Sequence, residues 1–154
     1  MSNNHSFTIT ISNNKTEKAG ISYLQSQDER FIYPDIKMRK KLLELLGLPS
    51  RYSKTFDLIF VDPVNKEDNE VIIDDETTFN LIELKTTQKE LHNNPSGFFF
   101  GATENEFNLA EMLGDRYKFC FVCLHSNCPS YQLLTLEELR RIIKTKRIQY
   151  QINL

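Results

Sequence analysis

A chain of 154 residues has the length of one domain, and 40% hydrophobic with 26% charged residues is the composition of a chain that folds around a core, which excludes a disordered one. The formal net charge of -2 excludes a whole-molecule field that attracts nucleic acid, so any such binding has to use local basic patches. Met1 to Ser12 is polar, no run approaches the ~20 apolar residues of a membrane helix, and three cysteines bunched from Cys120 to Cys128 favour a reducing cytoplasm over a disulfide framework.

In chain order, Phe7 to Ile11 alternates apolar residues with β-branched polar ones, which predicts a short strand. Ser12 to Lys18 is expected as a polar loop, and Ile21 to Arg30 favours neither period. Pro34-Asp35 opens a helix whose apolar positions are Ile36, Met38, Leu42, Leu43, Leu45 and Leu46, and which stops at Gly47. Phe56 to Val61 reads as a buried strand ended by Pro63. Asn65 to Asn69 is a charged loop, and Glu70 to Asp74 adds a short strand or lengthens a hairpin. Phe79 to Lys85 is the next strand. After the loop His92 to Gly97, Phe98 to Phe100 is a short apolar element. Thr103 and Glu106 form a capping box ahead of a helix through Leu113. Tyr117 to Leu124 is an apolar strand, Leu136 to Lys146 an amphipathic helix, and Gln149 to Leu154 is expected as a terminal strand. This order predicts an α/β or α+β fold with a mixed central sheet flanked by helices. The expected organisation is a single domain over 1–154, with its core at about 34–124, an N-terminal extension 1–30 and a C-terminal helix 135–147.

Chemistry concentrates at Glu83-Leu84-Lys85. On a strand, residues two apart share a face, so Glu83 and Lys85 point one way and Leu84 the other. Burying a carboxylate and an ammonium at a strand end is costly without a partner or a purpose. Asp57 starts the preceding apolar strand. If the two strands are antiparallel neighbours, Asp57 falls beside Glu83 and Lys85. Two carboxylates are hard oxygen ligands that suit Mg²⁺ or Mn²⁺, and the backbone carbonyl of Leu84 is a natural further ligand. Lys85 is then placed to orient or deprotonate a water and to stabilise phosphate charge. A surface ion pair beside a strand is the plainer account of the same three residues.

The surrounding segments resemble a known family. Leu81-Ile82-Glu83-Leu84-Lys85-Thr86-Thr87 is similar to the catalytic strand of the PD-(D/E)xK nuclease superfamily. Phe99-Phe100-Gly101-Ala102-Thr103-Glu104-Asn105-Glu106, the helix that follows, Gly114-Asp115-Arg116-Tyr117 and the strand Phe119 to Val122 resemble the NO VEIN-type C-terminal domain. The resemblance covers about residues 55 to 124. It implies a restriction-endonuclease-like fold with an αβββαβ core, and a Mg²⁺- or Mn²⁺-dependent endonuclease. It also implies Asp57, Glu83 and Lys85 as catalytic residues, and Asp57, Glu83 and the Leu84 carbonyl as metal ligands. The expected substrate is DNA, with RNA as the other choice. The implied role is that of a small restriction or defence nuclease, a homodimer or the cutting subunit of an assembly. A non-cleaving nucleic-acid or protein binding module is the alternative.

Residues placed to touch nucleic acid are Lys37, Arg39, Lys40 and Lys41 on the first helix, Thr86 and Thr87 after the catalytic strand, and Asn105. Arg140, Arg141, Lys144, Lys146 and Arg147 form a second basic patch. Asp62, Asp74 and Asp75 compete with Asp57 for the metal. Some family members carry a further carboxylate on the first helix, where Glu44 is the one available. Pro34-Asp35 is set aside as a helix start. Cys120, Cys123, His125 and Cys128 have the residue types of a zinc site. An offset of three puts Cys120 and Cys123 on opposite strand faces, however, so free thiols with neither metal nor disulfide are expected.

Overall fold

The computed structural model describes residues 2–154, with side chains from residue 15 onward. The first element is a helix, α1 (Ser2–Gln27), followed by β1 (Phe31–Ile32) and α2 (Ile36–Leu46). Next come β2 (Leu58–Val61), a small hairpin of β3 (Lys66–Glu67) and β4 (Glu70–Val71), and the long strand β5 (Phe79–Thr87). The chain closes with α3 (Glu104–Leu113), β6 (Tyr117–Cys123), β7 (Ser130–Leu134) and α4 (Leu136–Ile142).

Among the described residues one five-stranded sheet runs in the order β1-β2-β5-β6-β7, and β3-β4 stand apart. β1, β2 and β5 are antiparallel in turn, and β6 runs parallel to β5. A parallel neighbour needs a crossover, which α3 supplies. The fold is thus a mixed α+β sheet flanked by helices. With α2 as an insertion, its order α1-β1-β2-β5-α3-β6 is the αβββαβ sequence of elements.

The parity of β5 separates two cores. Leu81 faces a layer with Ile59, Phe119 and Phe121, covered by Leu42 and Leu43 of α2, Leu109 of α3, and Leu136 and Leu139 of α4. Ile82 and Leu84 face the other layer, with Leu58, Cys120 and Val122, covered by Leu24 of α1. No described helix is long and apolar enough to cross a membrane.

The local signals for α2 and α3 work as read. Asp35 caps α2 by accepting the Met38 N–H at 2.7 Å, and Gly47 ends it at φ 67° in the left-handed region. Thr103 and Glu106 close the capping box of α3. The hairpin turn sits on Asp68 and Asn69, both at positive φ, as a tight two-residue turn requires.

Four expectations are corrected. Phe7 to Lys18 is helix, not strand and loop, and the later turns of that helix pack Ile21 and Leu24 on the sheet. The alternation of Phe7 to Ile11 is a weak local preference, and packing of the helix's later turns on the sheet overrides it. Phe98 to Phe100 forms no regular element. α4 stops at Ile142, because beyond Leu139 it has no buried side chain to hold it. Residues 149–154 pair with no strand, and their alternating Tyr150, Ile152 and Leu154 stay exposed.

One contact fixes α1 closely on β5. A Cβ on Gly20 would meet Thr86 Cγ2 at 2.7 Å and Leu84 Cδ2 at 3.2 Å. Alanine is ordinarily worth ~1 kcal/mol over glycine inside a helix. Here the gain is outweighed by overpacking of ~1–3 kcal/mol, since Thr86 is β-branched and stiff. Gly20→Ala is therefore expected to lower the melting temperature by a few degrees, at roughly 2–4 °C per kcal/mol. Adding Thr86→Ser, which removes the colliding methyl, should restore it. A melting temperature for Gly20→Ala at or above wild type would show that α1 does not sit this close.

Candidate active site

Asp57 lies just ahead of β2 and clasps both sides of Glu83 on β5. Its N–H donates to the Ile82 carbonyl at 2.8 Å, and its Oδ2 accepts the Leu84 N–H at 2.8 Å. In a strand a residue's N–H and C=O point to the same edge. The Leu84 carbonyl therefore points to the β2 side, beyond the last paired residue of β2, Leu58. Asp57 and Glu83 thus lie side by side, and Leu84 lines the same cleft.

Glu83 is buried and its Oε2 has no hydrogen-bond partner. Its Oε1 lies 3.3 Å from Lys85 Nζ. Burial, and next to it the charge of Asp57, push its carboxyl up to about 10, with Glu106 adding to the rise and Lys85 opposing it. Burial and the neighbouring acids thus favour the protonated form of Glu83 in the metal-free protein.

Lys85 makes its shorter bond, 2.6 Å, to Glu106 Oε1. Burial alone would lower the lysine, but Glu83 and Glu106 outweigh it and hold it above its ordinary value. The two carboxylates thus favour the charged form of Lys85. Glu106 is held low because Lys85 and Thr103 outweigh its burial. Its two oxygens do separate work: Oε2 accepts the Thr103 N–H at 2.9 Å and the Thr103 hydroxyl at 2.7 Å, while Oε1 takes the lysine. The capping residue of α3 is thus also the group that aims Lys85.

A carboxylate not foreseen in the sequence joins the site. Glu17 of α1 lines the same cleft of about 450 Å³ as Asp57, Glu83, Leu84 and Lys85. Burial, and after it the charge and hydrogen bonding of Asp57, raise its carboxyl. Glu44, the expected helix carboxylate, is exposed on α2. The readable signal was the stripe Glu17, Gly20, Ile21 and Leu24, whose spacing is that of one helix face.

The competing aspartates fall elsewhere. Asp62 is 57% exposed and paired with Arg30 at 3.0 Å, and Asp74 organises a turn with Thr77. Asp75 is exposed. Arg39 has a positioning role in this fold. Its guanidinium donates to the carbonyls of Pro34, Ser53, Phe56 and Asp57, so it ties α2 to the segment that delivers Asp57. Thr86 lines the cleft, whereas Lys37, Lys40, Lys41, Thr87 and Asn105 do not. Arg140 and Arg141 of the second basic patch pair with Glu111 and Glu137. Cys120, Cys123 and Cys128 are free thiols, with Cys123 and Cys128 sulfurs 3.8 Å apart. A second hollow lies over Tyr33 to Arg39, but its one carboxylate, Asp35, is engaged in capping α2.

The donor set fits a hard divalent cation. It offers Asp57, Glu83 with an orphaned buried oxygen, the Leu84 carbonyl and the nearby Glu17, all oxygen. Among the described residues no group of three or more acidic, histidine or cysteine side chains is placed to hold a metal ion by itself. Mg²⁺ does not ask for one, since it keeps several waters and is usually held by one or two carboxylates plus substrate phosphate. Compared with family models, curated proteins and solved structures, the chain matches none, so its reading rests on its own residues.

Proposed function

We propose that the protein is a metal-dependent nuclease that hydrolyses phosphodiester bonds, most simply in DNA, with Mg²⁺ or Mn²⁺ as its cofactor. The observation that carries this reading is the gathering of Asp57, buried Glu83 and Glu17 with Lys85 in one cleft. One lysine already paired with Glu106 does not balance Asp57, Glu83 and Glu17 together, and such a crowd of acids favours a cation. The Glu83-Leu84-Lys85 strand with Asp57 beside it is the pattern expected of a PD-(D/E)xK nuclease site. The order of elements around the sheet supports the same assignment.

A bound Mg²⁺ would polarise the scissile phosphate and acidify a water. The chain's own parts are then plain. Asp57, Glu83 and the Leu84 carbonyl would hold the cation, with Glu17 lining the same cleft. Lys85, kept charged and aimed by Glu106, orients the attacking water and stabilises negative charge that builds on the phosphate. Incubation of plasmid DNA and of RNA with the protein, with Mg²⁺ or Mn²⁺ and with chelator instead, tests the proposal. Metal-dependent cleavage is expected. Binding without cleavage under every metal condition would assign the protein to the non-cleaving binding modules.

A further inference from the structure

Phe99 and Phe100 line the cleft together with its carboxylates. Phe98 and Phe100 both lie edge-on against Phe121, each with ring centroids 5.0 Å from it, and 6.2 Å from one another. Their packing seats the segment on the core. Phe99, between them, is 94% exposed and lines the cleft. A single exposed phenylalanine on a protein surface is ordinary. This one is presented by two anchored neighbours, on the lip of a charged cleft, within the same pocket as Glu83 and Lys85.

The charge of the cleft makes the ring more informative. Lys85 is the one basic residue among those lining it, and it is already paired with Glu106. A duplex tracked by its phosphates needs a row of cations there, and none lines this cleft. Affinity near the scissile bond has to come from the metal and from apolar contact. A base within a duplex is stacked on both faces and offers neither to a protein ring. An unpaired base does.

Resting on the nuclease reading, we propose that Phe99 is a stacking residue. The site accepts a strand whose base beside the scissile phosphate is unpaired, as in a single strand, a flap or a frayed end. The chemistry is shared by DNA and RNA, and the experiment carries both.

The test uses the full chain and a short labelled oligonucleotide as single-stranded DNA, as single-stranded RNA and as DNA duplex. Binding is read by fluorescence anisotropy with Ca²⁺, and cleavage separately with Mg²⁺. The wild type should bind at least one single strand more tightly than the duplex. Phe99→Ala should weaken that binding by roughly 5- to 150-fold, the equivalent of ~1–3 kcal/mol per stacked base. Duplex binding should be unchanged, and Phe99→Trp should bind at least as well as wild type. Because Phe99 is exposed, its variants should melt with the wild type. Equal losses on single strand and duplex, or no loss on either, would overturn the stacking role. So would a wild type that binds neither form. Absence of cleavage alongside the expected anisotropy pattern would instead sink the nuclease reading and leave the stacking role standing.

Discussion

Exchanging Lys85→Met together with Glu106→Gln should yield a folded protein that takes up Mg²⁺ and cleaves at least ~10²–10³-fold more slowly than wild type, the usual loss when one preorganised charge partner is removed. The paired substitution matters. Lys85 and Glu106 side chains are only 11% and 8% exposed and 2.6 Å apart. Removing the lysine alone leaves Glu106 charged and buried, at a cost of ~3–5 kcal/mol, so lost activity could reflect lost fold. Neutralising both removes the stranded charge, and glutamine can still close the capping box with Thr103. Melting temperature, metal binding and cleavage measured together decide the case. Cleavage by the double variant at the wild-type rate would reduce Lys85 to a structural partner of Glu106.

The sequence made some of this legible because local rules governed it. Strand parity alone separates Glu83 and Lys85 from Leu84, and the cores on the two sides of β5 follow that parity. An antiparallel β2-β5 pair was enough to bring Asp57 to Glu83. The capping box of α3 was readable from Thr103 and Glu106, but the second bond of Glu106, to Lys85, was not, since nothing local links positions on different elements. Glu17 was hidden for a related reason. The segment that carries it has β-branched residues in alternation near its start, and its helix is held by long-range packing of Leu24 and Gly20 on β5. Local propensity is a weak guide where tertiary contacts decide. Phe98, Phe99 and Phe100 are alike in sequence, and only Phe121 beneath them distinguishes the two anchors from the exposed ring. β1 and β7 escaped notice because they are edge strands whose pairing is set by β2 and β6 rather than by their own pattern.

Glu83→Gln should change how the protein responds to pH as well as to metal. In the metal-free fold the carboxyl is pushed up to about 10, against an ordinary value of 4.5. Between those values the folded state holds a proton that the unfolded state has released. Unfolding is then favoured as pH rises: the stability tied to this group is complete below about 4.5 and drains away toward about 10. Glu17, raised in the same direction, adds to the same slope. A divalent cation should reverse the trend, because it binds the ionised carboxylate and displaces the proton. Its apparent affinity should climb with pH, by as much as ~10-fold per unit for one competing proton. Glutamine has no proton to exchange. The variant should therefore show a flatter decline in melting temperature with rising pH in chelator, little stabilisation by Mg²⁺ at any pH, and no cleavage. Melting curves of both proteins from about pH 6 to about pH 9, with chelator and with Mg²⁺, read all of these effects but cleavage. Equal pH slopes and equal Mg²⁺ stabilisation in the two proteins would mean that Glu83 neither stores the proton nor holds the cation. The account of the site would then have to move to Glu17 and Asp57.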